Sequence, residues 1–168
     1  YSEFLYNNLV ATYNSCLKNK IFDTRIKFAN EKDLKVFSKL KNYDTIDWLS
    51  NNGYYSHHFF IIYKLILRAL LFDIITFISE SLQNILKGNN VVAYTLLRKP
   101  FKDSLTVLEK IYSDPISFYR GFVNNDSSFF DPNKISKPKE NMIELIKNVK
   151  TKAKMHDFLI PELIYILR

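Results

Sequence analysis

Hydrophobic residues recur at three- and four-residue steps along most of this chain, and the recurrence is strongest from Tyr54 to Tyr112. The run YYSHHFFIIYKLILRALLFDIITFISESLQNILK leads through GNN into VVAYTLLRKPFKDSLTVLEKIY. Its strong breakers are one glycine, Gly88, and one proline, Pro100. This pattern predicts a long antiparallel helical hairpin, about 54–87 and 91–112, and an all-α fold. Gly88 suits the left-handed position just past a helix end, and Asn89 or Asn90 suits the cap of the returning helix. So short a connection makes the two helices antiparallel neighbours. Pro100 lacks an N–H to donate and predicts a kink near Leu96–Leu97.

Smaller elements flank the hairpin. Phe4, Leu5, Leu9, Tyr13, Cys16 and Leu17 share helical spacing, so residues 3–18 read as a helix closed by Lys18, Asn19 and Lys20. In IFDTRIKF, Phe22, Thr24, Ile26 and Phe28 alternate as one face of a strand would, yet no partner strand exists and an extended loop fits as well. Asn30 reads as an N-cap for EKDLKVFSKL, and a short helix is expected over Thr45–Leu49, ended by Asn51, Asn52 and Gly53. Ser113 or Asp114 caps a helix over Pro115–Val123, with proline in its first turn. The stretch 124–138 is the clearest loop, with Phe129 and Phe130 pinning it to the body, and is the segment best suited to a functional role. A last long helix is expected over about 139–157, with Met142, Leu145, Ile146, Val149, Ala153 and His156 on one face. Pro161–Arg168 begins a further helix and stops abruptly. The start at Tyr1 suggests trimming and the end at Arg168 suggests a natural chain that continues. All of this fits one helical domain over 1–168.

Composition narrows the class. Of the 168 residues, 47% are hydrophobic, which disfavours disorder, and the three glycines disfavour glycine-loop folds. The single cysteine, Cys16, has no internal partner for a disulfide, and the expectation is a reducing cytosol. The net charge is +7, compatible with nucleic acid or an anionic surface. The chain is also rich in Lys, Asn, Ile, Phe and Tyr, the residues of AT-rich codons, and its lysines come without an arginine cluster. Phe59–Ile78 has the length of a membrane span but contains Lys64, Arg68 and Asp73. Each such charge costs about 2.5–3.5 kcal/mol at a bilayer centre, so no membrane span is expected.

Candidate chemistry is sparse. With the turn centred at Asn89, Glu80 faces Arg98, Arg68 faces Glu109 and Lys64 faces Asp114, opposite charges in every case. The plain reading is that these pairs set the hairpin register, since breaking a buried pair costs roughly 3–5 kcal/mol. The functional reading is a polar pocket between the helices built from Arg68, Asp73, Glu80, Arg98, Asp103 and Glu109. His57 and His58 point about 100° apart on a helix and cannot chelate one ion together. They read as residues of an exposed first turn, or as the edge of that pocket. No Glu-x-x-His, G-x-S-x-G, Walker or dinucleotide pattern occurs, so neither a metal nor a cofactor is expected. The lysines of 134–154 do not form one stripe and read as a solvated face, with phosphate contact as the alternative.

The segment AYTLLRKPFKDSLTVLEKIYSDP, with Arg98 followed by Asp103 and Glu109, resembles the central helix of bacterial all-α proteins of the broad HEPN and abortive-infection group. The resemblance implies a helical bundle and a tendency to dimerise. It does not imply ribonuclease activity, because no arginine here is followed four to six residues later by histidine. The resulting expectation is a non-catalytic binding or scaffold protein of the bacterial cytosol, in stress or phage defence, with a second copy or another protein as partner. The alternative is an RNA- or nucleotide-acting enzyme using the polar hairpin residues.

Overall fold

The computed structural model describes residues 2–155 and 161–166. Among them there is no strand; the elements are helices α1 (Ser2–Lys18), α2 (Glu31–Phe37), α3 (Asn42–Asn51), α4 (Tyr55–Leu86), α5 (Asn90–Arg98), α6 (Leu105–Ser113), α7 (Pro115–Val123), α8 (Pro132–Ile135), α9 (Lys139–Lys152) and α10 (Pro161–Ile166). A π-helical segment, Lys99–Ser104, joins α5 to α6. The architecture is all-α.

The predicted hairpin is present. At the end of α4 the N–H of Asn89 donates to the Asn84 carbonyl and that of Gly88 to the Ile85 carbonyl, with Gly88 at φ +78°. These two bonds satisfy carbonyls that the helix end would otherwise leave open, and they need the left-handed backbone that glycine adopts freely. The chain then returns along α4. Ser81 and Ala93 are both fully buried, and the Ser81 hydroxyl donates to the Ala93 carbonyl at 2.9 Å. Two small side chains at the crossing let the backbones approach closely.

Pro100 does more than kink the helix. It is buried, and the turn after it widens to a π-helix in which the Leu105 N–H reaches the Pro100 carbonyl. The ring cannot donate and crowds the preceding turn, so the wider turn is the local remedy. The disturbance therefore lies at Lys99–Ser104, a little beyond the Leu96–Leu97 position expected from sequence.

Helix α4 is the spine. Helices α1, α3, α5 and α7 and the π segment all pack on it. The main core forms where α6, α7, α8 and α9 meet, from Val107, Ile111, Phe118, Ile135, Met142, Leu145 and Ile146, with Tyr63, Ile66 and Leu70 of α4 against it. Met142, Leu145 and Ile146 are three of the positions expected to face inward on the 139–157 helix. That helix closes earlier than expected: Ala153 is its C-cap and exposed, and His156 lies outside the described residues.

A second, aromatic cluster holds the N-terminal third to the start of α4. Phe28, Phe37, Trp48 and Tyr54 lie with ring centroids 5.0–6.3 Å apart. The Tyr54 hydroxyl donates to Asp33 at 2.6 Å and accepts from the Ala29 N–H at 3.0 Å. Residues 21–28 form no strand; they run as an extended segment with Phe22, Thr24, Ile26 and Phe28 turned inward and their neighbours exposed. The alternation is that of a one-sided extended chain packed on helices rather than paired in a sheet. Asn30 caps α2 through the Asp33 N–H, and Asp114 caps α7 through the Ser117 N–H, both as expected from sequence.

The 124–138 stretch is fastened down. It contains a 3-10 turn at Ser127–Phe129 and the short α8. The Phe130 ring meets Phe122 edge-on at 5.7 Å, and Phe129 lies against Gly121 of α7. A Cβ built at Gly121 would come within 2.4–2.5 Å of Phe129 Cβ, Cγ and Cδ2. These atoms are the base of the side chain and cannot swing aside. Gly→Ala inside a helix ordinarily stabilises by about 1 kcal/mol. Gly121→Ala is expected to have the opposite sign, losing about 1–3 kcal/mol through overpacking, as read by urea unfolding. An unchanged or raised midpoint would show that Phe129 is not seated there.

Candidate functional site

The charged residues of the hairpin do not meet as the register centred on Asn89 places them. The helices pair about one turn away from that register, with Ser81 opposite Ala93 rather than Leu97. Glu80 and Arg98 are both exposed and form no ion pair among the described residues. Arg68 is exposed on α4, in a shallow hollow with Tyr13, Leu65, Ala69 and Phe72. Lys64 donates to the Asp23 carbonyl, and Asp114 is occupied as the α7 cap. What the fold brings together instead is Asp73 and Lys99, 3.9 Å apart at a half-exposed position. Such a pair contributes about 0–1 kcal/mol. The Lys99 ammonium also lies 4.3 Å from the Phe77 ring centroid, so it ties the π segment to α4 by two contacts. Asp103 is half-buried on the π segment, and Glu109 is buried on α6. The six residues thus divide between solvent (Arg68, Glu80, Arg98), half-exposed positions (Asp73, Asp103) and the interior (Glu109).

The histidines depart from an exposed first turn. His58 is only 5% exposed, and its Nδ1 lies 2.6 Å from the Tyr119 hydroxyl of α7. His57 is half-buried and accepts from the Lys27 N–H at 3.3 Å, which fastens the extended segment. His58 faces α7, while His57 faces the extended 21–28 segment and Tyr54. Burial holds the His58 imidazole below its ordinary value near 6.5, with the Asp47 charge opposing. The Tyr119 phenol is raised, also by burial.

Among several exposed apolar positions, one group lies on the outer face of the returning helix. Ala93, Leu96, Leu97 and Pro100 turn inward. On the opposite side Val91 is 81% exposed, Tyr94 73% and Phe101 52%, with Arg98 between them. Val91, Tyr94 and Arg98, three and four residues apart on α5, have the spacing of heptad a and d positions and share one stripe, and Phe101 follows on the π segment. Leu86, 87% exposed, extends the apolar surface at the hairpin tip. The spacing is visible in the sequence. It is overlooked there because Val91, Tyr94 and Phe101 read equally well as the inner face, and nothing in the pattern says which of two apolar stripes α4 covers.

Among the described residues no helix is long and apolar enough to cross a membrane, and no group of three or more His, Cys, Asp or Glu side chains is placed to hold a metal. No family model, curated protein or solved structure matches this chain.

Two expectations follow from this geometry. Glu80→Gln should shift stability by no more than about 0.5 kcal/mol, since its carboxylate is solvated; a loss of several kcal/mol would restore the register-setting ion pair. His58 titrates at a lower pH in the folded chain than in the unfolded one. Its contribution is therefore complete above the unfolded value near 6.5 and is lost as pH falls toward the folded value. The melting temperature should fall more steeply with acidification in the native protein than in His58→Gln; parallel curves would exclude His58 as the source.

Proposed function

We propose that the chain is a non-catalytic helical binding or scaffold protein that pairs with a second copy of itself through the outer face of the hairpin. The observation that carries this reading is the exposed heptad-spaced stripe Val91, Tyr94, Arg98 and Phe101. A solvated apolar stripe along a helix is what another helix covers. An isologous antiparallel pairing places the Arg98 guanidinium over the partner's Tyr94 and Val91 against the partner's Phe101. Arginine over an aromatic face contributes about 0.5–2 kcal/mol, so the cation in the stripe favours this arrangement rather than opposing it. The dimerising tendency implied by the HEPN-like resemblance points the same way. That resemblance suggests a bacterial setting in stress or phage defence, and the single cysteine a reducing cytosol.

The alternative of an RNA-acting enzyme draws less support, because Arg98 and Glu80 are separately solvated rather than convergent with Glu109. Sedimentation velocity at tens of micromolar is expected to show a dimer that Tyr94→Glu and Phe101→Glu convert to monomer with unchanged circular dichroism. A native protein that stays monomeric at that concentration would overturn the proposal.

A further inference from the structure

A different part of the molecule carries a separate inference. Helices α6 and α9 and the 124–138 segment enclose an open cleft of about 450 Å³. It is lined by Lys110, Lys134 and Lys137, by Asn141 and Asn148, and by the acidic residues Asp114 and Glu144. A volume in this range suits a small molecule, and the wall is polar throughout one side.

The charge arrangement is the unusual part. None of the three lysines forms an ion pair among the described residues. The nearby carboxylates are shared with other donors: Asp114 acts on Lys110 and Asp126 on Lys134, while both accept hydrogen bonds from serines. Asp114 caps α7 at the Ser117 N–H, and hydrogen bonding to Ser117 holds its carboxyl below the ordinary range, with the Lys110 and Lys152 charges adding to the effect. Asp126 accepts from the Ser128 N–H at 3.0 Å and the Ser128 hydroxyl at 2.8 Å, with the same effect. Lys134 leans on the Ser127 hydroxyl, and the Lys110 ammonium lies 5.6 Å from the Phe129 ring centroid. The cleft wall thus holds three lysines against two carboxylates, with no ion pair between them among the described residues. Beside them, two amides and Glu144 offer donors and acceptors of the kind that hydroxyl groups satisfy.

We propose that this cleft binds a small phosphorylated polyol, of the sugar-phosphate class, with the lysines on the phosphate and Asn141, Asn148 and Glu144 on the hydroxyls. The phosphate adds negative charge where lysines outnumber carboxylates, and Glu144 disfavours a ligand that is anionic all along its length. A nucleic-acid strand would set a phosphate against Glu144.

The test is isothermal titration of the intact protein with glucose 6-phosphate, glucose, inorganic phosphate and a single-stranded RNA 12-mer. Glucose 6-phosphate is expected to bind saturably and more tightly than inorganic phosphate, with glucose undetected. Lys134→Gln and Lys137→Gln should each weaken both phosphate ligands roughly tenfold, the size of one charge-assisted hydrogen bond. Glu144→Gln should weaken the sugar phosphate and leave inorganic phosphate unchanged or tighter. Lys35→Gln on α2, outside the cleft, should change nothing. The proposal is overturned if glucose 6-phosphate fails to saturate, if inorganic phosphate binds as tightly, if Lys35→Gln has the same effect as the cleft variants, or if only the RNA binds.

Discussion

Ser81 and Ala93 are sealed against each other where the two arms of the hairpin cross, and most of the molecule is arranged around that contact. A hydroxyl and a methyl group leave room for two helices to approach closely. The hydrogen bond at the crossing satisfies a hydroxyl that would otherwise be buried without a partner, a deficit of about 1–3 kcal/mol. Because the contact lies only a few residues from Gly88, it also sets the register of the long arm. Every later contact along the pair, from Lys99 on Phe77 to the packing of α6, inherits that register.

The strain of the returning arm is absorbed in one place. Pro100 cannot continue an α-helix, and the chain answers with a single wide turn rather than a break. That turn lets α5 and α6 differ in what they bury. Helix α5 covers the end of α4 with a small inward face and leaves the opposite stripe to solvent. Helix α6 turns Val107 and Ile111 into the main core with α7 and α9. One arm therefore belongs half to the surface and half to the interior, and the exposed half is where a second helix can lie.

The aromatic residues divide into two populations with different tasks. Phe28, Phe37, Trp48 and Tyr54 pack among themselves and fasten an extended segment that has no sheet to join. Phe118, Phe122, Phe129 and Phe130 bind the 124–138 segment to α7, and Gly121 is the gap that admits Phe129. With that segment packed on α7, its backbone forms one wall of the cleft beside α6 and α9. Packing here is what makes a polar surface definite in shape.

Local chemistry was legible in the amino-acid sequence because it depends on neighbours in the chain. The hairpin, Gly88 in its left-handed turn, the caps at Asn30 and Asp114, the proline at the start of α7 and the inward face of α9 all follow from spacing and backbone preference. The candidate site was not legible to the same degree. Charge matching across the hairpin assumed a turn centre, and a shift of one helical turn separated Glu80 from Arg98 and gave Asp73 to Lys99 instead. His58 looked like a first-turn surface residue until α7 covered it, and the choice between two apolar stripes on α5 rested on where α4 lay. Helical periodicity says which residues share a face; only the packing of distant segments decides which face is covered, because burial depends on what lies across the contact and not on what precedes it in the chain.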